Sequence, residues 1–154
     1  MKALRCGAYL LFSGIAGFII GLFLPRRWFH SERFPYCAGK WERNGKLYDK
    51  IRIKRWKNKI PDLSRICPFM TPKKLASVTD ENIKSLIQES CVAELIHALL
   101  IPLGLGCIAI WESGGIAVFL LWALGNLPFI LIQRYNRPGL RRLYLKLKAR
   151  ETIT

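Results

Sequence analysis

Three stretches of this chain are apolar enough to span a bilayer, and nearly all of its charge lies between and after them. Cys6 to Leu24 carries no charged residue and stops at Pro25-Arg26-Arg27-Trp28. Cys91–Trp111 and Ile116–Gln133 come much later, separated only by Glu112-Ser113-Gly114-Gly115. A helix needs about 20 largely apolar residues to cross the hydrocarbon core, and all three runs are close to that length. The glycine pair predicts a tight turn, so the second and third runs predict an antiparallel helical hairpin. The first run has the short basic start of a signal peptide. It is of spanning length, however, lacks an obvious small-residue cleavage site, and ends on a basic, aromatic stop. It predicts an uncleaved transmembrane helix. The expected fold is an all-α integral membrane protein, a single domain over 1–154. Spans are expected at 6–24, 91–111 and 116–133, with a basic interfacial segment at 25–90 and a basic amphipathic tail at 134–154.

Charge placement adds an orientation. Pro25–Ser90 holds 16 Lys and Arg, and the tail after Gln133 holds 7. Only Lys2 and Arg5 precede the first span, and the Glu112 turn has no cation. The positive-inside rule then puts the long segment and the tail in the cytosol, with the N-terminus outside. Segregation of this kind also explains how a chain with 51% hydrophobic residues carries a formal charge of +15.

Aromatic residues of the long segment (Trp28, Phe29, Phe34, Tyr36, Trp41, Tyr48, Trp56, Phe69) alternate with Lys and Arg, the pattern of a surface lying against anionic headgroups. Thr79-Asp80-Glu81 predicts a helix start, with a capping hydroxyl and acids in the first turn. Leu140, Leu143 and Leu147, set among cations, predict an in-plane amphipathic helix in the tail. Basic stretches with aromatics also bind nucleic acid, but no recognition module is visible and a membrane accounts for the charge. The five cysteines show neither metal-ligand spacing nor a disulfide framework.

The sharpest chemical signal is Glu94-Leu-Ile-His97 inside the second apolar run. Residues three apart share a helical face. An ionisable group at mid-bilayer costs about 2.5–3.5 kcal/mol on insertion scales, so a pair of them marks a candidate site. Ideal hairpin geometry sets Glu94 level with Gln133 and His97 level with Ile130, just above Arg134-Tyr135-Asn136-Arg137. Histidine can take a proton from an alcohol attacking a thioester, and a nearby carboxylate can orient the ring and stabilise the imidazolium. Arg134, Tyr135, Asn136 and Arg137 are candidates for holding donor phosphates, an acyl carbonyl or a sugar. Trp56, Lys57 and Lys59 form a basic arm that could close over the site, or an ordinary solvated loop. Asn126 and Pro128 read as a kink or a helix contact.

Other readings compete. Glu-x-x-His is half of a di-iron motif, but the second half and the further glutamates are absent. Cys91 lies one turn from Glu94 but faces away from His97. Glu94 and His97 could also serve only to bind a helix cap or an arginine.

Arg55-Trp-Lys-x-Lys-Ile-x-Asp62, Thr79-Asp-Glu with Glu89 and Ala93-Glu-Leu-Ile-His97, and Gln133-Arg-Tyr-Asn-Arg-Pro138 occur in order. In these motifs the chain resembles the glycosyl-4,4'-diaponeurosporenoate acyltransferases of staphyloxanthin-type carotenoid biosynthesis. The first span and Pro25–Lys50 carry no motif of that kind. The resemblance implies a multi-pass protein of a bacterial cell membrane that esterifies a hydroxyl of a glycosylated carotenoid or related glycolipid. The basic surface favours acyl-CoA as donor, since its phosphates are anionic, and an acidic acyl-carrier protein would be drawn equally well. No resident cofactor or metal is expected. The roles of His97 and Glu94 rest on chemistry and position alone. Three spans are few to enclose a lipid and a donor, which leaves room for a homodimer. The competing class is a non-catalytic basic module that binds anionic lipid or a partner enzyme. Methyl transfer onto a polar lipid is a further option, but no glycine-rich nucleotide site supports it.

Overall fold

A computed structural model describes residues 1–59 and 79–151, and among them the regular structure is entirely helical. In chain order the helices are α1 (Lys2–Phe23), α2 (Lys46–Lys50), α3 (Ile53–Trp56), α4 (Asp80–Leu103), α5 (Gly106–Ile110) and α6 (Gly115–Glu151). Short 3-10 turns occupy Arg26–Trp28, Lys40–Gly45 and Lys57–Lys59. Three segments are long and apolar enough to cross a membrane: Lys2–Phe23, Asp80–Ile110 and Gly115–Arg150. The protein is thus a helical membrane protein. Ile60, Pro61 and Asp62 of the basic arm, and Phe69, lie outside the described residues.

α4 and α6 each extend beyond the apolar residues that hydropathy outlines. α4 begins at Asp80, where the Thr79 hydroxyl accepts a hydrogen bond from the Asn82 amide at 3.3 Å. That bond satisfies one of the orphan donors of the first turn. α6 continues from the third apolar run through the cationic tail to Glu151, so residues 134–151 belong to the same helix as that run.

The second apolar run is interrupted. Pro102 has no N–H, and beyond it the backbone tightens to three-residue spacing. Leu105 N bonds Pro102 O, Cys107 N bonds Gly104 O and Ile108 N bonds Leu105 O, each at 3.0 Å. α5 then carries the chain to the turn.

The chain forms two compact units. The first comprises Met1–Leu24 and Ala93–Ile130. Its small core is Cys6, Leu10 and Cys107, packed by Tyr9, Ile110, Trp111, Val118 and Trp122. The Tyr9 hydroxyl donates to the Leu103 carbonyl at 2.8 Å, satisfying one of the acceptors that the end of α4 leaves open. Most of the apolar surface of this unit points outward: Phe12 is 73% exposed and Leu121 71%. A water-soluble domain buries such side chains, whereas hydrocarbon accepts them. The turn between α5 and α6 needs glycine for close approach. A Cβ on Gly115 would overlap the Cys107 carbonyl, and one on Gly114 would overlap the Trp111 indole.

The second unit comprises Pro25–Val92 and Leu131–Thr154. Tyr48, Ile53 and Ile132 form one buried cluster in it, flanked by Trp56, Leu131 and Tyr135, and Phe29, Ile83, Ile87, Cys91 and Val92 are buried there as well. The Arg26 guanidinium grips the Glu89 carboxylate through two bonds, at 2.7 and 3.1 Å.

Candidate active site

In the first unit the polar chemistry centres on His97. α4 presents His97 and Leu100 three residues apart. α6 presents Trp122, Asn126 and Phe129, each about one turn from the next on one face. The two sets interlock. Asn126 Oδ1 lies 2.8 Å from His97 Nδ1, and the imidazole stacks on the Phe129 ring at 4.5 Å between centroids and 8° between planes. Asn126 Nδ2 donates to the Trp122 carbonyl at 2.9 Å, and the Trp122 indole N–H donates to the Leu100 carbonyl at 2.6 Å. The His97–Asn126 and Trp122–Leu100 bonds cross between α4 and α6, and the Asn126–Trp122 bond braces them. His97 was expected level with Ile130, and it meets Asn126 and Phe129, within about a turn of that level. Glu94 is buried at 6% exposure on the same helix. Asn126, read from sequence as a kink or helix contact, is therefore a contact to the imidazole itself.

In the second unit two arginines of α6 organise the segment that follows α1. The Arg134 guanidinium donates to Glu42 Oε1 at 2.6 and 3.1 Å, to the Pro35 carbonyl at 3.1 Å and to the Cys37 carbonyl at 3.2 Å. Glu42 also accepts from the Gly39 N–H at 3.0 Å and from the Tyr48 hydroxyl at 2.8 Å. Burial disfavours the Glu42 carboxylate, but the donors from Gly39, Arg134 and Tyr48 outweigh it and hold its pKa below the usual value. The Tyr48 hydroxyl is pushed well above its usual range, first by burial and then by the carboxylate it donates to.

Arg137 is buried and donates to the Ser90 hydroxyl at 2.9 Å, to the Ser90 carbonyl at 3.0 Å and to the Tyr36 carbonyl at 2.8 Å. The basic arm meets the same stretch of α6: Lys57 donates to Asn136 Oδ1 at 3.1 Å and sits 4.7 Å from the Tyr135 ring centre. The Trp56 indole N–H bonds its own segment at Ile51 O, and Lys59 is exposed. Around the arginines lies an open cavity of about 290 Å³, whose lining includes Ser31, Glu42, Arg134, Arg137, Arg141 and Arg142. Arg134 and Arg137 thus help to build the wall of this cavity while holding the chain together.

A family model described as glycosyl-4,4'-diaponeurosporenoate acyltransferase matches residues 25–146, which include every residue of both clusters. The chain belongs to the glycosyl-4,4'-diaponeurosporenoate acyltransferase family. It is an acyltransferase. Curated proteins of that name from Staphylococcus aureus strains bovine RF122 / ET3-1, N315 and MRSA252 are each 28% identical to it, over 96% of this chain and 91% of theirs. No solved structure matches. The family match begins at residue 25, so it takes in the Pro25–Lys50 segment in which no motif stands out to the eye.

That segment also supplies Glu42, one of the residues that sequence reasoning passed over. Glu42 looks like one acid among many cations, and only packing reveals it as the counter-ion of Arg134. Arg141 and Arg142 read as tail charges, yet both reach the cavity wall. Asn126 did carry a signal, as the lone amide in the apolar run Ile116–Leu131.

Proposed function

We propose that this family member transfers a fatty acyl group from an acyl thioester to a hydroxyl of a glycosylated carotenoid or a closely related glycolipid. His97 acts as general base. The acceptor hydroxyl loses its proton to the imidazole as its oxygen attacks the thioester carbonyl. The tetrahedral intermediate collapses, the C–S bond breaks, and the leaving thiolate takes the proton from the imidazolium. The ester and the free thiol are the products. Such proton transfer contributes about 10²–10⁴ in rate. Glu94, one turn earlier on α4, stabilises the imidazolium formed on the way.

The observation that carries this reading is the imidazole braced by an amide and an aromatic face within the family's matched region. A ring held in this way is prepared for proton transfer rather than left to rotate freely. The donor is a phosphate-bearing thioester, acyl-CoA or an acyl-carrier protein. The arginine-rich cavity supports this, since guanidinium forks suit phosphate oxygens. Lys57, Asn136 and Tyr135 assist from the neighbouring face, with Trp56 and Lys59 on the same arm. The positive-inside distribution supports an N-terminus outside and a C-terminus in the cytosol, where such donors are found.

The test is mass spectrometry on purified protein incubated with acyl-CoA and a glycosylated carotenoid. Wild type is expected to yield an ester mass that His97→Ala reduces at least about 10²-fold at equal expression and folding. Undiminished ester formation by His97→Ala would remove the base and the mechanism with it.

A further inference from the structure

His97 has two ring nitrogens, and only one can be the base. The contacts around Asn126 decide which. Asn126 Nδ2 lies 2.9 Å from the Trp122 carbonyl, an acceptor, so that end of the amide must be the NH2 group. The other end, Oδ1, is then the atom 2.8 Å from His97 Nδ1. A carbonyl oxygen cannot donate, so the hydrogen in that contact belongs to the imidazole. Trp122 is itself anchored by its indole bond to Leu100 O, and a Cβ on Gly104 would overlap its ring. The amide is therefore held at both ends by groups with little freedom to rearrange. Phe129, stacked on the ring, opposes rotation about the bond that would exchange the two nitrogens.

Building on the general-base reading of His97, we infer that Asn126 is a positioning residue. It keeps the neutral imidazole protonated at Nδ1, so that Nε2 is the atom that takes the acceptor's proton. A neutral amide suits this task. It selects the tautomer without adding a second carboxylate to an apolar helix pair, where an ionised group is costly. When Nε2 is protonated in the reaction, the Nδ1–H bond to Asn126 stays in place.

The test begins without altering the site. The chain has two histidines, His30 and His97. His30 is exposed and lies outside the cluster, so His30→Gln leaves His97 as the single imidazole. Selective ¹⁵N-histidine labelling and two-bond ¹H–¹⁵N correlation in detergent micelles then report the tautomer of the neutral ring directly. The expected result is the Nδ1–H form in His30→Gln, and loss of that preference in His30→Gln/Asn126→Leu. In acyl transfer, Asn126→Leu is expected to lower kcat about 10²-fold with the KM for acyl-CoA unchanged. Asn126→Asp, which keeps an acceptor oxygen, is expected to retain the Nδ1–H form and recover part of that loss.

An Nε2–H tautomer in the parent, or an unchanged tautomer in Asn126→Leu, overturns the inference without reference to activity. So does wild-type kcat in a folded Asn126→Leu. Failure of the base itself is separate, since full activity of His97→Ala removes the catalytic reading while the tautomer result stands.

Discussion

Glu42→Gln isolates the charge of the buried ion pair with almost no change in shape. The Glu42 side chain is 3% exposed and that of Arg134 12%, so neither charge can turn to water when its partner is lost. Removing one member of a buried pair costs about 3–5 kcal/mol. Glutamine keeps an oxygen for the Gly39 N–H and Arg134, which places the cost near the lower limit. It gives up the acceptor for the Tyr48 hydroxyl, worth about 1 kcal/mol. The sum is about 4 kcal/mol, and at roughly 3 °C per kcal/mol for a chain of this size it lowers the melting midpoint by about 12 °C.

The assay is thermal unfolding in detergent followed by tryptophan fluorescence. Trp41, whose ring centre lies 5.3 Å from the Arg134 guanidinium, reports locally. The pH dependence supplies a second check. The Glu42 carboxyl titrates below its ordinary 4.5 in the folded protein. Its contribution is therefore complete above pH 4.5 and fades as pH falls through the lowered value. The gap between wild type and Glu42→Gln should be constant near neutrality and should narrow below pH 4.5. A midpoint within about 1 °C of wild type at pH 7, or a gap that widens on acidification, would refute the assignment of Glu42 as an ionised, paired group.

Three further outcomes follow from other contacts. Arg142→Gln removes an exposed cation from the cavity wall, and the KM for acyl-CoA should rise about tenfold at low salt with kcat preserved; an unchanged KM takes Arg142 out of donor binding. Thr79→Ala deletes the cap of α4 and should cost about 1 kcal/mol, read as a fall of about 3 °C in the same melt. Gly115→Ala forces a methyl group onto the Cys107 carbonyl and should cost about 1–3 kcal/mol. Gly125→Ala, whose added methyl meets nothing within 4 Å, should be neutral or stabilising, and equal effects of the two would sink the close-approach argument.

Much of the architecture is readable from the linear pattern because a bilayer imposes one-dimensional rules. Apolar length decides which segments can cross, and two glycines beside a charged turn decide where a hairpin can close. The Thr79 cap is equally legible, since a cap and its helix are neighbours in the chain. Residues 134–151 are where pattern reading separated what the chain joins. Their cationic composition marks a new environment, but backbone hydrogen bonds form alike beneath apolar and charged side chains, and the helix continues.

The candidate site divides along the same line. That His97 and Glu94 share a helix face, and that their burial in an apolar run is costly, follow from spacing and solvation alone. The positions of Arg134 and Arg137 beside each other's helical turn follow likewise. Which partner each side chain takes does not. Asn126 rather than Ile130 meets His97, a pairing set by how the two helices pack. Glu42 rather than Glu32 or Asp49 meets Arg134 because the Pro35–Glu42 segment folds so that its carbonyls and that one carboxylate converge on a single guanidinium. Periodicity and hydropathy are local sums and are written into the order of residues. Pairings across 29 or 92 positions depend on how the whole chain closes, and that is decided only by packing.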